Sequence, residues 1–123
     1  MNYILIFIGG GLGSVARYEL GKRITSIAGS GFPAGTISVN VLSCLILGVL
    51  FGTLQVKSLN QPWVLFLGTG FCGGFSTFSS FTSETFILLK EGNYFYAGAN
   101  IVLSVLICLL SLWAGWMISK WFR

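Results

Sequence analysis

Four stretches of this chain are each long and apolar enough to cross a lipid bilayer, and that one feature leaves few folds open. A helix needs about 20 residues to traverse about 30 Å of hydrocarbon. Residues 2–20, 32–54, 62–89 and 94–121 meet that requirement. Between them, residues 21–31, 55–61 and 90–93 hold most of the lysines. Pro33 and Pro62 stand where a helix tolerates proline, in its first turn. Trp63, Tyr94, Tyr96, Trp116 and Trp121 lie near span ends, as interfacial aromatic belts do. With 54% hydrophobic and only 8% charged residues, a water-soluble fold would have to expose more apolar surface than water tolerates. The reading is an all-α integral membrane protein, one transmembrane domain over residues 1–123.

Composition excludes several function classes. The net charge of +4 comes from scattered residues with no basic run, which argues against nucleic acid as a partner. The chain has no histidine and no aspartate, and no nucleophile has an identifiable base, so an enzyme is not expected. Cys44, Cys72 and Cys108 fall in three different apolar stretches without a Cys-x-x-Cys, and read as small buried hydrophobes rather than zinc ligands or disulfides. Met1-Asn2-Tyr3 runs directly into apolar residues with no basic leader region, so the first segment is expected to stay as a helix.

An even number of spans puts both termini on one side. That side carries Lys57, Lys120 and Arg123, against Arg17, Lys22, Arg23 and Lys90 on the other. Such a near tie does not fix the direction of insertion. The expectation is insertion in both orientations and pairing of opposed copies as an antiparallel homodimer about a twofold axis in the membrane plane.

Polar residues then mark where chemistry enters the membrane. Gly9, Gly10, Gly11 and Gly13 predict a close helix contact face. Arg17 lies one turn beyond Gly13 near the end of its span, placed either to snorkel or to offer positive potential to an anion. Thr36, Asn40 and Ser43 share one face of the second span; Asn100, Ser104 and Ser111 repeat the device in the fourth, with Cys108 flanking. Two such stripes could line one aqueous path. In the third span, Gly70-Phe71-Cys72-Gly73-Gly74-Phe75-Ser76-Thr77-Phe78-Ser79-Ser80-Phe81 predicts a helix broken near mid-membrane. Irregular backbone is tolerated at that depth only when buried in protein or lining a cavity. Phe78 and Phe81 follow at i and i+3, and ring edges turned to a path favour an anion without carrying a full charge. Glu84 is an acidic residue well inside an apolar stretch, either a proton handle or a hydrogen-bonded structural carboxylate.

Three segments together resemble the Fluc (CrcB) fluoride channel family over nearly the whole chain: Gly10 to Tyr18, Gly35-Thr36-x-x-Val39-Asn40, and Gly70 to Phe81. The resemblance implies a fluoride-selective channel in the cell's inner (plasma) membrane. It would lower cytoplasmic fluoride by passive exit through two pores per inverted dimer. It makes Phe78 and Phe81 an aromatic fluoride box, Asn40 the amide facing it, and Thr77, Ser79 and Ser80 neighbouring hydroxyls. The wider track would include Thr36, Ser104, Cys108, Arg17 and Glu84. It further implies a structural sodium (Na+) at the dimer centre, held by the backbone carbonyls of Gly73 and Ser76. Three positions depart from the family pattern: Ser43 stands at its usual small residue after the second motif, Phe75 where an aliphatic residue is common, and Cys108 in place of a hydroxyl one turn after Ser104. The alternative is a proton-coupled exporter of the small multidrug resistance type, which wants a carboxylate inside the first span, whereas Glu19 sits at that span's end.

Overall fold

The computed structural model describes residues 1–54 and 61–122 and is helical along almost all of them; Lys57 and Arg123 of the charge count lie outside the described residues. The elements are α1 (Asn2–Ala28), α2 (Ala34–Leu54), α3 (residues 61–75), α4 (Phe78–Lys90) and α5 (Tyr94–Ser119), closed by a 3₁₀ turn over Lys120–Phe122. Four helical segments are long and apolar enough to cross a membrane: Asn2–Ala28, Ala34–Leu54, Gln61–Lys90 and Tyr94–Phe122. This matches the expected count and order, and among the described residues one boundary moves by more than two residues.

That boundary is the end of α1, which continues past residue 20 to Ala28. Once the apolar run ends, backbone hydrogen bonding still favours continuing the helix, and Arg23 meets Glu19 one turn earlier at 3.8 Å. The helix stops at Gly29, whose φ of +84° is the left-handed backbone only glycine adopts at no cost, and whose N–H bonds Thr25 O at 2.9 Å.

Two close helix contacts organise the bundle. Gly9 and Gly13 set α1 directly on α3. A Cβ on either would run into the backbone of Phe66 or Phe71, and one on Gly74 would meet Gly10 O. Gly11 faces open space, so the contact face predicted over four glycines is narrower than expected. The second contact joins α2 to α5, with Gly48 against the Leu112 carbonyl, Gly115 against the Leu45 carbonyl, and Gly52 against Ser119. Small residues four apart on each helix let the backbones approach closely, where dispersion rather than hydrophobic exclusion holds membrane helices together.

Among the described residues the largest fully buried side chains are Val39, Asn100, Cys72 and Ser43, a partly polar centre. Apolar bulk faces outward instead, with Phe7 82% and Leu109 64% exposed. Such a distribution suits a hydrocarbon solvent, which gives no reason to hide apolar groups and every reason to pair polar ones.

The third span is the irregular one. Within α3 a single α-turn at Gln61–Trp63 passes into a nine-residue π-helix, Val64–Cys72, before another α-turn at Gly73–Phe75. Then Ser76 (φ −83°, ψ 160°) and Thr77 (φ −152°, ψ 117°) are extended, and α4 starts at Phe78. The span is bent by 17°. The break predicted somewhere over Gly70 to Phe81 thus falls on two residues, and the wide helical turns before it were not visible in the hydrophobic pattern.

Candidate functional site

The break is held open by side chains that replace the missing helical bonds. Thr77 N–H donates to Asn40 Oδ1 at 2.7 Å, and Asn40 Nδ2 donates to Thr77 O at 3.2 Å. Both backbone groups of Thr77 are therefore satisfied by one carboxamide on α2. Thr77 in turn caps α4: its Oγ1 accepts from Ser80 N at 3.1 Å and lies 3.2 Å from both the Ser79 and Ser80 hydroxyls. On the other side of the break, Cys72 O accepts from Ser76 N, Ser76 Oγ and Ser43 Oγ. Gly74 O, in the last turn of α3, accepts from Arg17 Nε at 3.0 Å. A guanidinium at a helix C-terminus both fills an orphan acceptor and complements the dipole.

Two cavities flank Thr77. One, of about 260 Å³, is walled by Asn40, Cys44, Ser76, Thr77, Phe78, Phe81, Ser104, Val105 and Cys108. The other, of about 230 Å³, is walled by Arg17, Tyr18, Thr25, Thr36, Thr77, Ser80 and Glu84 among others. The Phe78 and Phe81 rings stand 5.5 Å apart between centroids, tilted by 41°, and Phe78 is 78% exposed. In the second cavity Thr36 Oγ1 donates to Glu84 Oε1 at 2.6 Å, while Glu84 Oε2 is buried without a hydrogen-bond partner among the described residues.

Almost every residue assigned to the ion path from the sequence falls on one of these walls. Asn40, Thr77, Phe78, Phe81, Ser104 and Cys108 meet in the first cavity; Arg17, Thr36, Thr77, Ser80 and Glu84 meet in the second. Ser79 lines neither and packs its hydroxyl beside Thr77. The α5 stripe divides. Asn100 donates to Thr85 and accepts from Ser104, whereas Ser111 turns away to donate to Val41 O at 2.7 Å. Of the two readings left open for Arg17, its bond to Gly74 O anchors it inside the protein rather than free at the interface. Sequence reasoning missed Cys44 as a wall residue, although it lies one turn after Asn40 on the face already marked by Thr36.

A family model described as "CrcB-like protein, Camphor Resistance (CrcB)" matches residues 4–116. The chain belongs to the CrcB family. It is 44% identical over 122 residues to a protein of Coxiella burnetii (strain CbuK_Q154), covering 98% of each chain. It is 43% identical over 118 residues to one of Pyrococcus abyssi, covering 95% of this chain and 94% of the relative. A Geobacter sulfurreducens protein is 41% identical over 118 residues, 95% of each. All three relatives are named fluoride-specific ion channel FluC. CrcB proteins are channels rather than enzymes.

The three positions that the resemblance marks as departures have local consequences. Ser43 is fully buried and bonds Cys72 O, tying α2 to the end of α3. Phe75 is buried and stacks on Phe71 at 5.4 Å, filling the volume an aliphatic residue would leave. Cys108 stands on the wall of the ring cavity, so neither it nor Cys44 is the simple buried hydrophobe expected of them.

The backbone at the break also suits a small hard cation, which takes oxygen ligands. In a continuous helix Gly73 O would accept from Thr77 N, and Ser76 O from Ser80 N. Here Thr77 N is taken by Asn40 and Ser80 N by Thr77 Oγ1. Both carbonyls named by the family resemblance are thereby released from helical duty, and a Cβ at Gly73 would meet nothing within 4 Å.

Proposed function

We propose that this protein is a fluoride-selective channel that lets fluoride leave the cell passively across the inner membrane, lowering its cytoplasmic concentration. The observation that carries the reading is the clasp of Asn40 on the broken backbone at Thr77, with the Phe78 and Phe81 rings opening on the same cavity. Fluoride is small and strongly hydrated, so a pore must replace its water shell with donors that hold it weakly enough to release. Asn40 Nδ2 has a second N–H beyond the one given to Thr77 O. That N–H, the Ser80 hydroxyl and the positive edges of the two rings supply donors without a full charge, while the Thr77 and Ser104 hydroxyls, whose protons go to Ser80 and Asn100, donate to the ion only by rotating toward it. Arg17, Thr36 and Glu84 form the polar approach on the far side of Thr77, and Cys108 adds a soft wall beyond Ser104.

In this reading two copies pair antiparallel and the outward apolar faces divide between lipid and the partner. A sodium ion, when bound by the Gly73 and Ser76 carbonyls, supplies a fixed positive centre that holds the two breaks together. This chain's own residues do the rest: Asn40 and Thr77 keep the carbonyls turned out of the helix, and Arg17 neutralises the neighbouring helix end.

The test is fluoride release from liposomes holding the purified protein, read with a fluoride electrode beside a chloride control and with no proton gradient. Rapid fluoride release with chloride retained is the expected result; silence from well-assembled protein would sink the reading. The proton-coupled exporter finds no support, since Glu19 is half exposed at the end of the apolar run and engaged with Arg23.

A further inference from the structure

We propose that Cys44 and Cys108 form a binding site for a soft, two-coordinate metal ion inside the ring cavity. Cys44 sits one turn beyond Asn40 on α2, and Cys108 one turn beyond Ser104 on α5. The two helices are held in register by the glycine contacts at Gly48 and Gly115. Both cysteines are partly accessible, and both stand on the wall of the cavity that holds Phe78 and Phe81, one from each helix. A pair of thiols on one cavity wall is a ligand set, not two isolated small hydrophobes.

The donor set selects the metal. Zinc wants four ligands, and among the described residues no group of three or more Cys, His, Asp or Glu could hold an ion. Two sulfurs alone suit soft d10 ions content with two ligands. A divalent ion of that class is favoured further by charge. Each cysteine gives up its thiol proton, two sulfur–metal bonds form, two protons leave to water, and no atom changes oxidation state. The product carries no net charge, as a low-dielectric wall requires. Cys72 provides an internal control: it is almost fully buried, its carbonyl accepts from Ser43 Oγ, and it does not line the cavity.

The probe is mercuric chloride added to the intact protein in detergent, followed by desalting. Intact-mass spectrometry is expected to give one mercury per chain with two protons lost, and X-ray absorption two sulfur neighbours. Cys72→Ser keeps this adduct, while Cys44→Ser and Cys108→Ser lose it. Two mercury ions per chain on single sulfurs, or a bridged adduct that survives in the Cys44→Ser/Cys108→Ser double variant, would overturn the site. Wild-type protein pre-treated with N-ethylmaleimide gives a second control that needs no variant to fold, and it too should lose the bridged ion. A further arm rests on the channel reading. Mercuric chloride should abolish fluoride release in wild type and in Cys72→Ser, each compared with its own metal-free flux, and spare the double variant. A correct bridged adduct with undiminished flux would place the metal off the fluoride path, and would overturn that placement without touching the mass result.

Discussion

At the scale of single residues, the centre of this protein depends on side-chain hydrogen bonds that stand in for missing helical ones. Asn40 satisfies both backbone groups of Thr77 at 2.7 and 3.2 Å. Asn40→Leu leaves a part-buried N–H and C=O without their side-chain partner, at about 1 kcal/mol each. It also removes the spare N–H facing the rings. The expected outcome is loss of fluoride flux in liposomes together with a lower melting temperature in detergent. A mutant that assembled normally and still conducted would take Asn40 out of the mechanism. Thr77→Val keeps the shape but deletes the hydroxyl that accepts from Ser80 N and touches Ser79 and Ser80. Loss of such a cap costs about 0.5–2 kcal/mol, so thermal unfolding should begin at lower temperature, while Thr77→Ser should restore most of the loss.

At the scale of elements, the four spans were readable because a membrane imposes one length and one polarity on everything that crosses it. The break was readable for a related reason. Gly73 and Gly74 followed by Ser76 and Thr77 have neither the propensity nor the side-chain packing to hold a helix at that depth. The π-helix at Val64–Cys72 was not, since its registry depends on what packs against it and leaves no period in the sequence. Cys44 was overlooked because it was weighed as a cysteine rather than as the next residue on the Thr36–Asn40 face. The glycine contact between α2 and α5 was legible in principle, as Gly48 with Gly52 and Gly115 with Ser119 recur four apart. Gly48→Ala drives a Cβ into the Leu112 carbonyl and toward Trp116 N at 3.0 Å. Overpacking of this kind costs about 1–3 kcal/mol. The variant should show a lower melting temperature, whereas Gly11→Ala, which meets nothing within 4 Å, should behave as wild type.

At the scale of the whole molecule, the outward apolar surface and the charge count bear on assembly and orientation. Lys22 lies 5.7 Å from the Tyr18 ring and Lys120 only 3.6 Å from the Trp116 ring, so each basic residue is tethered at a span end by an aromatic neighbour. Three basic residues against four give no strong bias. A single cysteine appended to the C-terminus of a cysteine-free variant should therefore react with a membrane-impermeant maleimide from both faces of the membrane. Adding two lysines to one loop should shift the labelling to one face and abolish flux when all copies point the same way. Full activity from copies of uniform orientation would contradict the antiparallel pair. If sodium holds the two breaks together, its replacement by N-methylglucamine should lower the dimer's melting temperature.

The clasp at Thr77 is built on extended backbone. An extended residue points its N–H and C=O to the same side, as a residue does when it forms a rung of an antiparallel ladder. Asn40 completes that rung by imitating a peptide group, with donor and acceptor in one plane. Aspartate has acceptors only, serine too short a reach to serve both atoms, and glutamine an extra methylene that moves the plane. The position therefore admits asparagine for reasons of backbone closure, before any ion arrives to be recognised.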